Sequence, residues 1–273
     1  MQKKILVLVN TLTSISNFVY ANHIRFFVEA KQAFPDWQFI FMTPHRAGID
    51  LARNAAAVHA LTLECDYLMF IDDDVLVPPD TLKRLVDDDK DIVAGLVIIR
   101  GYPFNVMAFK EKITEKDGKA NKSLTYYNDL PKEHKEHILD DESICKDCNK
   151  EDFQVLQKMV SCAAVGFSCC LIKVDILRLL QEPYFITLPG MTEDVYFCTR
   201  VTEELTPTPE IFIDTHVQCG HLMSPEAIEW QYKEKFQNFY FEFNLNPAKE
   251  DQKDSTPKPV RTLEYLERCL AKL

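Results

Sequence analysis

Residues 67–74 read YLMFIDDD, an apolar run that ends in three consecutive carboxylates. A run this short and this apolar suits a strand covered on both faces, as the strands of parallel sheets are. Three adjacent acids repel one another, so a strand that delivers them to its end needs a counter-charge there. A hard divalent cation supplies one. Mg²⁺ or Mn²⁺ takes oxygen ligands, and in nucleotide chemistry it is typically held by one or two carboxylates plus phosphate oxygens. If the chain stays extended, Asp72 and Asp74 face one side and Asp73 the other. Pro78 and Pro79 then open a helix, a position proline favours.

The flanking sequence alternates between strand and helix patterns. Ile5 to Val9 and Trp37 to Met42 are apolar runs of strand type, and Tyr20 to Phe34 between them reads as a helix. Asp50 to Leu63 is alanine-rich at helical spacing, with Asp50 as its N-cap. Asp80 to Val86 predicts a short helix and Ile92 to Ile99 a fourth strand. This rhythm implies an α/β fold with helices on both faces of the sheet, whose ligands bind at the carboxyl ends of the strands. From about residue 110 to 158 the rhythm gives way to charged, turn-rich sequence, which predicts a surface insertion or mobile loop able to fold over a substrate. Order resumes with AAVGFSCCLIKVDIL, a strand running into a helix. MTEDVYFCTRVTEEL follows as a helix opened by acids, then IFIDTHVQCGHL as a strand and loop. Glu226 to Phe243 reads as an aromatic-rich helix, followed by a polar proline-containing linker and a last helix from Thr262 to Leu273. The expected organisation is a catalytic domain over 1–225, with its insertion at about 110–158, and a helical extension over 226–273.

With 273 residues, 47% of them hydrophobic, the chain can bury one large core. A net charge of −11 disfavours broad attraction to nucleic acid or an anionic membrane. Nine cysteines, an odd number in a chain that is not small, do not read as a disulfide framework and suit a reducing cytoplasm. The amino-terminal MQKKILVLVNTL is better read as a first strand than as a signal peptide. No segment approaches the roughly 18 apolar residues of a membrane span, so a soluble protein is expected.

YLMFIDDDVLVPPDTL resembles the strand and D-x-D motif of family 2 type glycosyltransferases of the GT-A fold, whose sheet is mixed and mainly parallel. DLARNAAAVHAL, upstream, resembles that family's A-R-N helix, and VGFSCCLIKVDIL the strand before its acceptor region. TEDVYFCTRV is similar to its E-D helix, without the usual preceding glycine, and IFIDTHVQCGHL to its closing strand and histidine. These elements stand in family order over about Ile5 to Leu222. The TEDVYFC and VQCGHL segments also resemble glycosyltransferases of bacteriophages and other viruses, which would place the protein in a host cytoplasm.

The resemblance implies transfer of a sugar, of hexosyl type, from a nucleoside-diphosphate donor to a hydroxyl acceptor with inversion. UDP is the expected donor nucleotide, and the acceptor is a glycan, a protein side chain or a modified nucleobase. Asp74 and His221 would hold Mn²⁺ or Mg²⁺, with His216 as the rival histidine; such a metal acts as a Lewis acid on the leaving diphosphate. Asp72, Asp73, Arg53, Thr11, Thr43 and Arg46 would line the donor, Arg53 by a charge-assisted fork to phosphate. Asp194 would be the general base, with Glu193 positioning the acceptor, both favoured by the helix N-terminus. A nucleotidyltransferase of related fold is the enzymatic alternative, but VNTLTSISNF lacks the glycine and lysine of a phosphate loop. An inactive binding module is the other, and the retained acids speak against it. Cys145 and Cys148 form a C-x-x-C within the insertion; unmetallated thiols are favoured there over a structural Zn²⁺, for which His134, His137, Cys162, Cys169 and Cys170 are the further candidate ligands.

Overall fold

A computed structural model describes residues 2–11, 14–44, 47–116, 119–127, 130–134, 154–223 and 226–228. The chain divides into units 1–237 and 238–273, and every described residue lies in the first. In chain order, the first half runs β1 (Lys4–Asn10), α1 (Asn17–Ala33), β2 (Gln38–Met42), α2 (Ile49–Thr62), β3 (Tyr67–Asp72), β4 (Val75–Leu76), α3 (Thr81–Asp87) and β5 (Ile92–Leu96). Then come β6 (Ala108–Lys116), β7 (Lys119–Tyr126), β8 (Lys132–His134), β9 (Gln154–Leu156), β10 (Met159–Ser161), β11 (Ala164–Val165) and β12 (Cys169–Lys173). The described part closes with α4 (Asp175–Arg178), α5 (Glu193–Glu204), β13 (Ile211–Gln218), β14 (Gly220–Met223) and β15 (Glu226–Ile228).

Seven strands form the main sheet in the order β10-β13-β5-β12-β3-β1-β2. The pairs β1–β2, β1–β3 and β5–β13 are parallel; β12 runs antiparallel between β3 and β5, and β10 antiparallel to β13. The sheet is therefore the mixed, mainly parallel one expected of a GT-A-like fold. Alternate residues of each strand serve opposite faces. Leu6, Leu8, Leu68 and Phe70 pack with Ala52, Ala56 and Ala60 of α2 and with Phe197 and Val201 of α5. Ile5, Val7, Met69 and Ile71 pack with Phe26 and Ala30 of α1 and with Leu82 and Leu85 of α3. Burial on both sides explains why these strands read as unbroken apolar runs.

Local chemistry departs from expectation at several points. Gly48, not Asp50, caps α2; Asp50 sits in the first turn, where its Oδ1 accepts from the Leu51 N–H at 2.9 Å. The fourth strand stops at Leu96. The charged segment after residue 110 is not simply a loop, because β6 and β7 form a long antiparallel hairpin from Phe109↔Tyr126 to Lys116↔Lys119, and β8 pairs with β9. The missed signal is Asp117-Gly118, a dipeptide that favours tight hairpin turns, between segments able to pair. Glu226–Ile228, expected to open a helix, is strand β15 paired with β14. The rest of that expected helix, the linker and the last helix lie outside the described residues, as do Arg46, His137, Cys145 and Cys148.

Candidate active site

The acids stand where β3, in the middle of the sheet, runs out. The register Asn10↔Asp72 places Asp72 level with the carboxyl end of β1. Thr11 and the exposed Thr43 follow β1 and β2 at this same edge. Asp72 is pinned by the segment leading into β12: its N–H donates to the Ser168 carbonyl at 3.0 Å, and the Ser168 hydroxyl donates to Asp72 Oδ2 at 2.6 Å. Two residues earlier, Gly166 lets the chain pass close to Met107, whose side chain a Cβ there would meet at 2.6 Å. Burial raises the Asp72 carboxyl above its ordinary range, against the charge of Arg53 and the hydrogen bond from Ser168.

Arg53 reaches Asp72 from α2. Small alanines on the buried side of that helix bring its axis close to the sheet, and the guanidinium lies 5.4 Å from the Phe70 ring centroid and 5.5 Å from that of Phe167. Arg53 is only 1% exposed. Its Nη2 contacts Asp72 Oδ1 at 3.4 Å and its Nη1 donates to Glu193 Oε1 at 2.5 Å, while its buried Nε has no hydrogen-bond partner. A phosphate would reach this fork only by displacing those carboxylates. The next residue, Asn54, accepts from the Tyr184 and Phe185 N–H groups at 2.8 and 3.1 Å and donates to the Phe185 carbonyl at 2.6 Å, locking the chain that leads toward α5.

Beyond Asp72 the chain turns through the partly exposed Asp73 to Asp74 and enters β4, which pairs with β14 through His221↔Val75 and Gly220↔Leu76. The Leu222 N–H donates to the Asp74 carbonyl at 2.7 Å. This small sheet sets His221 Nε2 3.4 Å from Asp74 Oδ1. His221 Nδ1 lies 2.7 Å from the Ile98 carbonyl. A carbonyl only accepts, so Nδ1 carries a proton. With Nε2 protonated as well the ring donates to Asp74, and once Nε2 is bare its lone pair is available to a metal held beside Asp74, an orientation fixed by the partner of the other nitrogen. Asp74 Oδ2 pairs with Arg100 Nη1 at 2.8 Å. Burial pushes the Asp74 carboxyl up, but the hydrogen bond and charge of His221 and the charge of Arg100 outweigh it and hold the group below its ordinary value.

One carboxylate and one imidazole nitrogen, with Asp72 behind them, are donors of the kind a divalent ion takes alongside phosphate oxygens and water. Among the described residues no group of three or more metal-ligating side chains is gathered to hold an ion unaided. His216 lies on β13, its N–H donating to Asp214 Oδ1 at 2.8 Å and its carbonyl accepting from Arg84 at 3.2 Å; the histidine set against Asp74 is His221. Cys162, Cys169 and Cys170, weighed as zinc ligands, are core thiols, and burial drives Cys162 up to about 12 and Cys170 well above its ordinary value, which keeps both protonated.

Glu193 and Asp194 open α5 as expected, and both are buried. Burial raises the Glu193 carboxyl, partly offset by Arg53. Asp194 accepts from the Thr192 hydroxyl, from the Val195 N–H at 2.8 Å and from the Phe167 N–H at 3.4 Å. The β6–β7 hairpin brings Tyr126 into range: burial first, and then the charge of Asp194, raise its phenol. Beside α5 lies a cavity of about 580 Å³ lined by Lys110, Tyr127, Ser161, Met191, Thr199 and Glu203. Ser168, Arg100, Asn54 and Tyr126 escaped the sequence reading, since each acquires its partner only through tertiary approach.

Residues 26–146 match the family model described as Glycosyl transferase family 2, a stretch that contains Arg53 and all three acids but neither the α5 pair nor His221. Among solved structures, A197 from STIV is similar at 16% identity and a TM-score of 0.47, over 81% of this chain and 86% of that one. An apo UDP-glucose pyrophosphorylase is similar at 10% identity and a TM-score of 0.38, over 89% and 99% of the two chains. A 4-diphosphocytidyl-2C-methyl-D-erythritol synthase from Anaerococcus prevotii DSM 20548 is similar at 9% identity and a TM-score of 0.38, over 88% and 99%. No curated protein matches the chain.

Proposed function

We propose that this chain, which resembles family 2 glycosyltransferases, is a metal-dependent hexosyltransferase that moves a sugar from a UDP-linked donor to a hydroxyl acceptor with inversion, in the cytoplasm. Residues 1–225 form the catalytic domain of this reading and 226–273 an extension. The observation that carries it is the pairing of Asp74, two residues beyond Asp72 at the end of the central strand and inside the segment that matches the family, with the Nε2 side of His221, which lies outside that segment. Asp74 and His221 would hold Mn²⁺ or Mg²⁺, which when bound stabilises the leaving diphosphate as a Lewis acid. Asp72 and Asp73 would serve the donor's hydroxyls, with Thr11 and Thr43 nearby; Arg46, expected on the donor side as well, lies outside the described residues. Arg53 serves the donor side through Asp72, whose carboxylate it holds in place.

On the acceptor side, Asp194 takes the proton of the attacking hydroxyl, and Glu193, fastened to Arg53, orients the acceptor. Backbone donors from Phe167 and Val195 fix the Asp194 carboxylate in advance, so it need not reorganise during reaction.

Thermal unfolding with UDP-glucose, in the presence and absence of Mn²⁺, tests the reading, because a ligand that binds only the folded state raises its melting temperature. The expected result is a metal-dependent rise in the wild-type protein that is lost in Asp74→Asn. No rise with any nucleotide sugar would count against the function. Incubation with donor and acceptor should release nucleoside diphosphate; release of pyrophosphate from a nucleoside triphosphate would point instead to a nucleotidyltransferase.

A further inference from the structure

The 98–105 segment does two things to Asp74. The Ile98 carbonyl orients His221, and two residues later Arg100 pairs with the second Asp74 oxygen. The segment's backbone is anchored on both sides, by the Ile98↔Val106 bridge, by the Ile99 N–H to the Asn105 carbonyl at 2.9 Å, and by the Phe104 N–H to the Gly101 carbonyl at 2.7 Å. The Arg100 side chain, in contrast, is 54% exposed, while Asp74 is 26% exposed. A long side chain on a pinned backbone can swing without disturbing the fold.

Both oxygens of Asp74 are thus engaged by groups of the protein, one of them by a full positive charge. A divalent ion and a guanidinium cannot share this half-buried carboxylate without mutual repulsion. The Arg100 pair therefore opposes metal entry, metal entry favours its release, and the freed guanidinium needs a new anion close by. A diphosphate provides one, and its paired oxygens suit the planar fork of arginine.

Resting on the reading of Asp74 as a metal ligand, we propose that Arg100 is a placeholder cation that occupies Asp74 until metal arrives and then pairs with the diphosphate of the donor. The consequence is a linkage: metal alone binds weakly, diphosphate makes metal binding favourable, and metal strengthens diphosphate binding by the same factor. The protein would then avoid being held in a metal-loaded, donor-free state.

The test is Mn²⁺ binding by the full chain, followed by electron paramagnetic resonance of the free ion, for wild type, Arg100→Gln and Arg100→Lys, each alone and with UDP or GDP. Without nucleotide, Arg100→Gln is expected to bind Mn²⁺ about two- to fivefold more tightly than wild type, the scale of one partly exposed ion pair. With nucleotide, the tightening of Mn²⁺ binding should be smaller in Arg100→Gln by at least that factor, and Arg100→Lys should fall between. Equal or weaker Mn²⁺ binding by Arg100→Gln in the absence of nucleotide would overturn the proposal, as would an undiminished nucleotide effect. Failure of either nucleotide to tighten Mn²⁺ binding in wild type would overturn it as well. If neither wild type nor variant bound Mn²⁺ under any condition, the assignment of Asp74 as a ligand would itself fall; equal binding by both would remove only the role of Arg100.

Discussion

Arg53 Nη1 donates to Glu193 Oε1 over 2.5 Å although the two residues lie 140 positions apart in sequence. The same guanidinium reaches Asp72 at 3.4 Å, so one buried cation joins the end of the central strand to the first turn of α5. The proposed donor side and the proposed acceptor side share this anchor.

Removal of Arg53 should therefore be felt as stability before it is felt as binding. Arg53→Met leaves Glu193, 4% exposed, without its counter-charge. A loss of about 3–5 kcal/mol in urea unfolding is expected, the usual cost of breaking a buried pair from one side. Arg53→Met combined with Glu193→Met should recover part of it, because the second change removes the stranded acid. Wild-type stability in the single variant would show that the pair holds nothing together.

Asp194→Asn should separate chemistry from donor binding. The amide is isosteric and keeps an oxygen for the Val195 N–H, but it cannot accept the acceptor's proton. Transfer is expected to fall by roughly 10²- to 10⁴-fold, the typical contribution of a general base. The metal-dependent thermal shift with donor should persist. Turnover near the wild-type rate would exclude Asp194 as the base.

A second buried charge group, away from the acids of β3, makes stability depend on pH. Lys158 Nζ lies 2.6 Å from Asp88 Oδ1 and 3.8 Å from Asp214 Oδ2, both carboxyls being buried. Burial, and then the neighbouring Asp88 charge, raise the Asp214 carboxyl above the ordinary 3.8. Folding thus favours its protonated form, and the stability it contributes is lost as pH rises from the unfolded value through the higher folded one. Asp214→Asn cannot ionise, so its melting temperature should exceed that of wild type at pH 7–8, by roughly 2–4 °C if about 1 kcal/mol is involved. The difference should close in acid. A difference independent of pH would rule out titration of Asp214 as its origin.

The buried thiols give a test of the core itself. Burial raises Cys162 to about 12 and lifts Cys170 and Cys198 as well, so each remains a neutral and unreactive thiol at pH 8. Peptide mapping by mass spectrometry after iodoacetamide treatment should find these three unmodified in the native protein and modified in urea. Rapid native alkylation of Cys162 would contradict its burial between β10 and β11.

The elements that set the site's frame were legible one at a time. YLMFIDDD is a buried strand with acids at its mouth, DLARNAAAVHAL a helix with one arginine among alanines, and TEDVYFCTRV a helix opened by acids; each follows from a local period of two or 3.6 and from end chemistry. The β6–β7 hairpin was missed because its charged residues hid the Asp117-Gly118 turn signal.

Hydrophobic periodicity and helix-terminal chemistry act within a few residues, so the sequence alone determined which segments are strands and helices and that carboxylates cluster where strands end. Which partners meet was decided by the tertiary structure. The order β5-β12-β3-β1 and the pairing of β4 with β14 bring His221 to Asp74, Ser168 to Asp72 and Glu193 to Arg53. Those approaches depend on sheet order and register, which no local pattern encodes. The three aspartates were visible as one cluster of like charge; the fold gave Asp72 to Arg53 and Ser168, and Asp74 to His221 and Arg100.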